Sequence, residues 1–137
     1  SRVLRIYVLF LFTIKVNYKN SCIVSSFYTL QFISTSNRQN LVNKIFNGLN
    51  WGGAFFLIEK VRGPDARFQD YLNQVYIDYK KKRGYSDKEI ISKSLSLKGV
   101  LEPFSTKGNL DMLKRAGFKD VMTIFKYGAF EGYLCIK

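Results

Sequence analysis

The sequence predicts an α/β domain in which a parallel sheet is finished by an antiparallel hairpin, and three stretches carry that prediction. Ala54 to Ile58 is apolar without alternation, as in a strand covered on both faces at the centre of a parallel sheet. Ahead of it Leu41, Val42, Ile45, Phe46 and Leu49 recur at helical spacing and form one apolar stripe, with Arg38, Asn40, Asn43, Lys44 and Asn47 on the polar side. The tail "DVMTIFKYGAFEGYLCIK" reads as two strands joined around Tyr127-Gly128, where residues tolerant of positive φ suit a tight turn; a longer irregular link is equally allowed.

The elements follow in order. Cys22 to about Phe27 is a strand with a polar shoulder. Ser36 followed by Gln39 has capping-box spacing and starts the helix that Asn50-Trp51-Gly52-Gly53 ends, which makes the glycine pair a structural turn before the next strand. Arg62-Gly63-Pro64 breaks that strand, and a helix from near Asp65 carries Phe68, Tyr71, Leu72, Val75 and Tyr79 on one face, to be packed against the sheet. It runs into Lys80 to Arg83, whose positive charges suit a helix carboxyl end, and Gly84 stops it. Ser86 and Glu89 make a second capping box opening "DKEIISKSLSL". Leu101 to Lys107 is a loop, and Leu110, Met112, Leu113 and Ala116 mark a short helix ending at Gly117.

Composition narrows the function classes. A chain of 137 residues with 47% hydrophobic residues suits one domain with its own core. With 22 Lys and Arg against 10 Asp and Glu, the formal charge of +12 favours contact with anions and also serves solubility. The sequence has no histidine, so imidazole bases, His-containing triads and the common zinc arrangements are excluded, and no metal is expected. Cys22 and Cys135 are isolated in apolar runs and read as reduced core thiols of a cytoplasmic protein; a disulfide between them is the alternative. The apolar run Ile6 to Phe12, extended to Ile14 and flanked by Arg2, Arg5, Lys15 and Lys19, is too short for a membrane span and has no small-x-small cleavage site. It is either a buried strand or the start of a fragment.

The stretches "YTLQFISTSNRQNLVNKIFNGLNWGGAFFLIEK", "GYSDKEI" and "MLKRAGFKDV" together resemble the C-terminal half of the carboxy-S-adenosyl-L-methionine synthases of bacterial tRNA wobble-uridine modification. The similarity runs in consistent order from about Cys22 to Lys137 and leaves residues 1–20 unmatched. It implies the C-terminal portion of a Rossmann-like class I methyltransferase sheet, with Cys22 to Phe27 as its fourth strand and Ala54 to Ile58 as its fifth. Residues 21–137 would then be a partial, N-terminally truncated domain, and residues 1–20 a basic, apolar segment able to add a strand. The family is understood to convert S-adenosyl-L-methionine and prephenate into carboxy-S-adenosyl-L-methionine and phenylpyruvate. The resemblance therefore implies S-adenosyl-L-methionine as cofactor, a prephenate-like small-molecule substrate and a homodimer, without requiring direct tRNA contact.

By the same resemblance Tyr28, Thr29, Gln31 and Glu59 line the cofactor pocket, with Lys60 beside Glu59 where the fifth strand opens onto the crevice; Tyr76, Tyr79, Lys80 and Tyr85 are candidates to line the acceptor pocket, and Lys93 and Ser94 to meet the substrate carboxylate. Each has a plainer reading: tyrosines packing a helix on a sheet, turn bonding by Thr29 and Gln31, and a strand-end carboxylate in Glu59. Lys80 to Arg83 reads as a solvated helix end more readily than as a tRNA patch. Two departures from the family stand out. No strand followed by a GxGxG turn and a ribose-binding acid occurs in the 137 residues, so cofactor affinity of the chain by itself is expected to be weak. Ser94 stands where the family has the arginine that holds the carboxylate, which removes both a charge and a bidentate fork. A methyltransferase of unknown acceptor, or a non-catalytic basic interaction or dimerisation module, are the alternatives.

Overall fold

The computed structural model describes residues 6–9, as backbone, and residues 17–137. The expectations for Arg2, Arg5, Lys15 and the apolar stretch beyond Leu9 lie outside the described residues. Strands β1 (Ile6–Leu9), β2 (Ser21–Phe27) and β3 (Leu49–Lys60) run parallel, and β4 (Asp120–Tyr127) and β5 (Phe130–Ile136) close the sheet as an antiparallel hairpin, in the order β1-β2-β3-β5-β4. Helix α1 (Thr35–Gly48) connects β2 to β3; α2 (Ala66–Lys82), α3 (Asp87–Leu97) and α4 (Thr106–Ala116) lie between β3 and β4. The hairpin turns through Gly128-Ala129, with Gly128 at φ 56°, as the tail predicts.

The core lies on one face of the sheet. Val24, Phe55, Leu57, Tyr133 and Cys135 point to it by the strand alternation, and Leu41, Val42 and Ile45 of α1 with Met112 and Leu113 of α4 cover it. Phe118, beyond α4, packs edge-on to Phe46 and stacked on Phe55. Cys22 and Cys135 are both free thiols, and burial pushes Cys135 up to about 12. The opposite face is less covered. Ala54, Phe56 and Ile58 of β3 are half-buried, and Met122 and Phe125 of β4 are exposed. The unbroken apolar run of β3 is therefore not that of a strand buried equally on both sides.

Several expectations need correction. Helix α1 begins at Thr35, with Ser34 at the N-cap position but making no side-chain cap, so Ser36 is inside the helix; Gln39 bonds Asn43 and the Met112 carbonyl and receives the Arg115 guanidinium, tying α1 to α4. Gly52-Gly53 lies within β3. The register against β2 jumps from Ser21↔Leu49 to Ile23↔Ala54, so the extra residues bulge out. Gly52 has φ 74°, and a Cβ on Gly53 would come within 2.8 Å of the Asn50 carbonyl oxygen. Helix α4 starts earlier than expected, with Ser105 accepting from the Gly108 N–H. Helix α2 buries none of its residues: Phe68, Tyr71, Val75 and Tyr79 are exposed. Local bonds hold α2 and α3 instead, with Asp65 accepting from the Phe68 N–H and the reciprocal Ser86/Glu89 box present as its spacing predicts.

Candidate active site

The carboxyl ends of β2 and β3 lie side by side, where an open α/β sheet offers its crevice. Glu59 sits there, but not as a free group. Its two oxygens accept the Leu30 and Gln31 backbone N–H groups at 3.0 Å each, and the Thr29 N–H also contributes. Successive N–H groups of a tight turn, here leading into the 3-10 helix Leu30–Phe32, form a concave anion nest, and Glu59 fills it from within the protein. Burial nevertheless outweighs these bonds and the nearby Arg38 charge, and raises the Glu59 carboxyl to about 7.

Arg38 closes the same knot from α1. Its guanidinium donates to the Ile33 and Gln31 carbonyls at 2.8 and 3.0 Å and lies 4.6 Å from the centre of the Phe104 ring. The sequence reading put Arg38 on the polar side of α1, yet it is only 2% exposed. The spacing held the signal: 38, 41, 42 and 45 is an i, i+3, i+4, i+7 row, the same row that carries the buried stripe.

The other expected cofactor residues divide. Thr29 is buried and donates its hydroxyl to the Phe27 carbonyl. Gln31 is buried, and its side-chain oxygen accepts the Lys60 N–H at 2.8 Å, fastening the turn after β2 to the end of β3. Tyr28 alone of the four is exposed; it takes a left-handed backbone, φ 54°, and its ring meets Phe130 edge-on at 5.7 Å.

Of the expected substrate residues, Tyr76 comes to this crevice, edge-on to Phe130 at 6.4 Å with Lys60 and Lys80 both over its ring. Tyr85 lies under Lys80, and Tyr79 is exposed with Arg83 over it. Lys93 and Ser94 are exposed on α3, and their side chains make no hydrogen bond or ion pair with any residue above.

A second buried cluster was not anticipated. Glu131, the cross-strand partner of Glu59, accepts from Thr106 Oγ1, Lys126 Nζ and the Tyr133 hydroxyl. Burial pushes its carboxyl up, but these donors prevail and hold it below the usual range; burial and the Glu131 bond push Tyr133 well above its own. The alternation of Glu131, Tyr133 and Cys135 in an apolar strand was the available sign. The cluster staples α4 to the hairpin.

No family model matches the chain. It is 42% identical over 120 residues to the carboxy-S-adenosyl-L-methionine synthase of Staphylococcus epidermidis, covering 88% of this chain and 53% of that protein. The enzyme of the same name from Campylobacter jejuni strain 81-176 is 44% identical, over 80% of this chain and 47% of its own length. The chain is homologous to the carboxy-S-adenosyl-L-methionine synthases. It spans about half the length of the curated relatives it matches. Its fold is that of class I S-adenosylmethionine-dependent methyltransferases. Human N-acetylserotonin methyltransferase, solved in complex with SAM, superposes with TM-score 0.64 at 18% identity over 91% of this chain and 32% of its own, and PigF, solved with SAH, with 0.58 at 14% over 93% and 33%. Among the described residues, no helix is long and apolar enough to cross a membrane and no group of three potential metal ligands converges.

Proposed function

We propose that this chain supplies the sheet-closing half of an S-adenosyl-L-methionine-dependent transferase that makes carboxy-S-adenosyl-L-methionine with prephenate as second substrate, in the service of tRNA wobble-uridine modification. The observation that carries this is the 42% identity, over 88% of the chain, to a synthase of that name. In this reading residues 21–137 are a partial transferase domain and residues 1–20 an added segment, of which Ile6–Leu9 lies parallel to β2 and covers its edge.

The described residues do not by themselves fit the whole cofactor. Glu59 and Gln31 are engaged by the protein's own bonds, and no GxGxG turn occurs in the sequence. When bound, S-adenosyl-L-methionine would supply the sulfonium carbon that accepts the carboxyl group. The residues of this chain shape the crevice: Glu59 and Arg38 fix the turn after β2, and Gln31 locks that turn to β3. Glu59 thus orients the wall and is not available as a base.

A chimera tests the reading. The part of the Staphylococcus epidermidis relative that this chain does not match is joined to it and incubated with S-adenosyl-L-methionine and prephenate. Carboxylated product by mass spectrometry is the expected result; a folded chimera that makes none contradicts the proposal. Ser94 in place of arginine favours ordinary methyl transfer as the second reading, which a methylated acceptor in the same assay, without carboxylated product, would support. Salt-sensitive tRNA binding by the chain would favour a basic interaction module instead.

A further inference from the structure

Two ammonium groups share one aromatic ring at the crevice. Lys60 Nζ is 4.7 Å from the centre of Tyr76, and Lys80 Nζ, one helical turn on from that tyrosine, is 5.4 Å from the same ring and 4.3 Å from Tyr85. Neither ammonium has a carboxylate partner among the described residues. Two other members of the basic run are engaged elsewhere: Lys81 pairs with Asp87 at 3.1 Å and Arg83 lies over Tyr79, while Lys82 is exposed. Cation–π contact offsets part of the repulsion between two neighbouring cations but does not neutralise it. Burial, and then the Lys80 charge, lowers the Lys60 pKa.

The apolar surroundings are as specific as the charges. Phe130, the cross-strand partner of Lys60, lies between Tyr28 and Tyr76 and meets both edge-on. Tyr28 completes the set from a left-handed backbone, a conformation a bulky residue keeps only when its surroundings enforce it. A cationic pair beside three rings at the carboxyl ends of parallel strands matches a small ligand that carries a carboxylate on a flat apolar body. A polyanion would instead call for a basic stripe along an open surface.

We infer that Lys60 and Lys80 bind the carboxylate of a small organic anion whose flat apolar body lies against Tyr28, Phe130 and Tyr76. The pair supplies the charge that Ser94 does not. Naming that anion as the carboxylate co-substrate rests on the transferase reading above; the site itself does not.

The test is titration of the 137-residue chain with phenylpyruvate, followed by the lysine and tyrosine side-chain signals in NMR. Saturable shifts at Lys60, Lys80 and Tyr76 are expected, with phenylacetone, the same ring without the carboxylate, producing none. Lys60→Met and Lys80→Met each weaken binding by about tenfold, while Lys60→Arg, Lys80→Arg and a substitution of the exposed Lys119, Lys119→Met, stay within about twofold. Circular dichroism checks that each variant is folded. Three results overturn the inference: no saturable binding, binding indifferent to both methionine substitutions, or an oligonucleotide moving the Lys60 and Lys80 signals when phenylpyruvate does not. The chimera can fail for want of a hold on the adenosyl group while this titration still saturates, and the reverse, so failures of the two readings are distinguishable.

Discussion

The two faces of the sheet are built differently. Under α1 and α4, Val24, Phe55, Leu57, Tyr133 and Cys135 have no exposed surface, and even the charged side chains on that side, Arg38, Glu59 and Glu131, are buried with their bonds made. On the other side Phe56 and Ile58 are only half-buried, Met122 and Phe125 are exposed, and α2 and α3 bury no residue. One face therefore supplies most of the stability, since apolar area removed from water is the dominant favourable contribution. The open side is held by caps, by i,i+4 bonds such as Gln69–Asn73 and Gln74–Asp78, and by lysines over tyrosines. Segments with few buried contacts are those that open locally and can rearrange around a ligand. The binding cluster lies where the two regimes meet.

The sharpest way to break this contrast is at the buried knot. Arg38→Ala removes two bonds to backbone carbonyls, the contact with Phe104 and the charge beside Glu59, and should cost about 3 to 5 kcal/mol in urea unfolding. A loss under about 1 kcal/mol would mean that the knot is not what holds the turn after β2.

Glu59 gives the second test. Its carboxyl stands at about 7 in the folded chain against 4.5 ordinarily, so between those values the folded chain keeps a proton that the unfolded chain has lost. Stability from this group consequently falls as pH rises through the window, by about 3 kcal/mol in all. Glu131 has the opposite sign, being held below its usual range, so its contribution is present above that range and lost as pH falls. Glu59→Gln should flatten the slope between about pH 5 and pH 7 while leaving the acid limb intact. An unchanged slope would assign it to another group.

Effects on the open side are smaller. Ser86→Ala removes the capping box of α3 and should cost that helix about 1 kcal/mol, seen as faster amide exchange in α3 without matching loss in the core. Val75→Ser and Met122→Ser should change global stability by no more than about 0.5 kcal/mol. A loss of several kcal/mol at either would show that this side is covered in solution.

What the sequence made legible was what local chemistry decides. The parallel strands showed as apolar runs, the second capping box as Ser86 and Glu89 three apart, and the hairpin as Tyr127-Gly128 between two such runs. What it hid depends on partners distant in the chain. The Gly52-Gly53 pair looks like a turn because nothing nearby reveals that the Lys137 carbonyl accepts the Gly52 N–H and keeps the segment in the sheet. Glu59 looked like an open strand-end acid because the N–H groups that fill its lone pairs lie 28 and 29 residues away. The apolar face of α2 predicted burial by period alone, and periodicity does not say which surface, in this chain or another, is there to meet it. In the candidate site Tyr28, Lys60, Tyr76 and Lys80 were each visible in the sequence as crevice candidates, whereas the meeting of both lysines over the Tyr76 ring required the fold.

The most direct measurement is calorimetric titration of the 137-residue chain with S-adenosyl-L-methionine. The crevice described here offers a carboxylate site and a braced wall, with the groups expected to meet the adenosyl end bound into the protein's own turn. No binding tighter than about millimolar is predicted. Micromolar affinity would contradict this account, because a complete cofactor cradle would then lie within these residues.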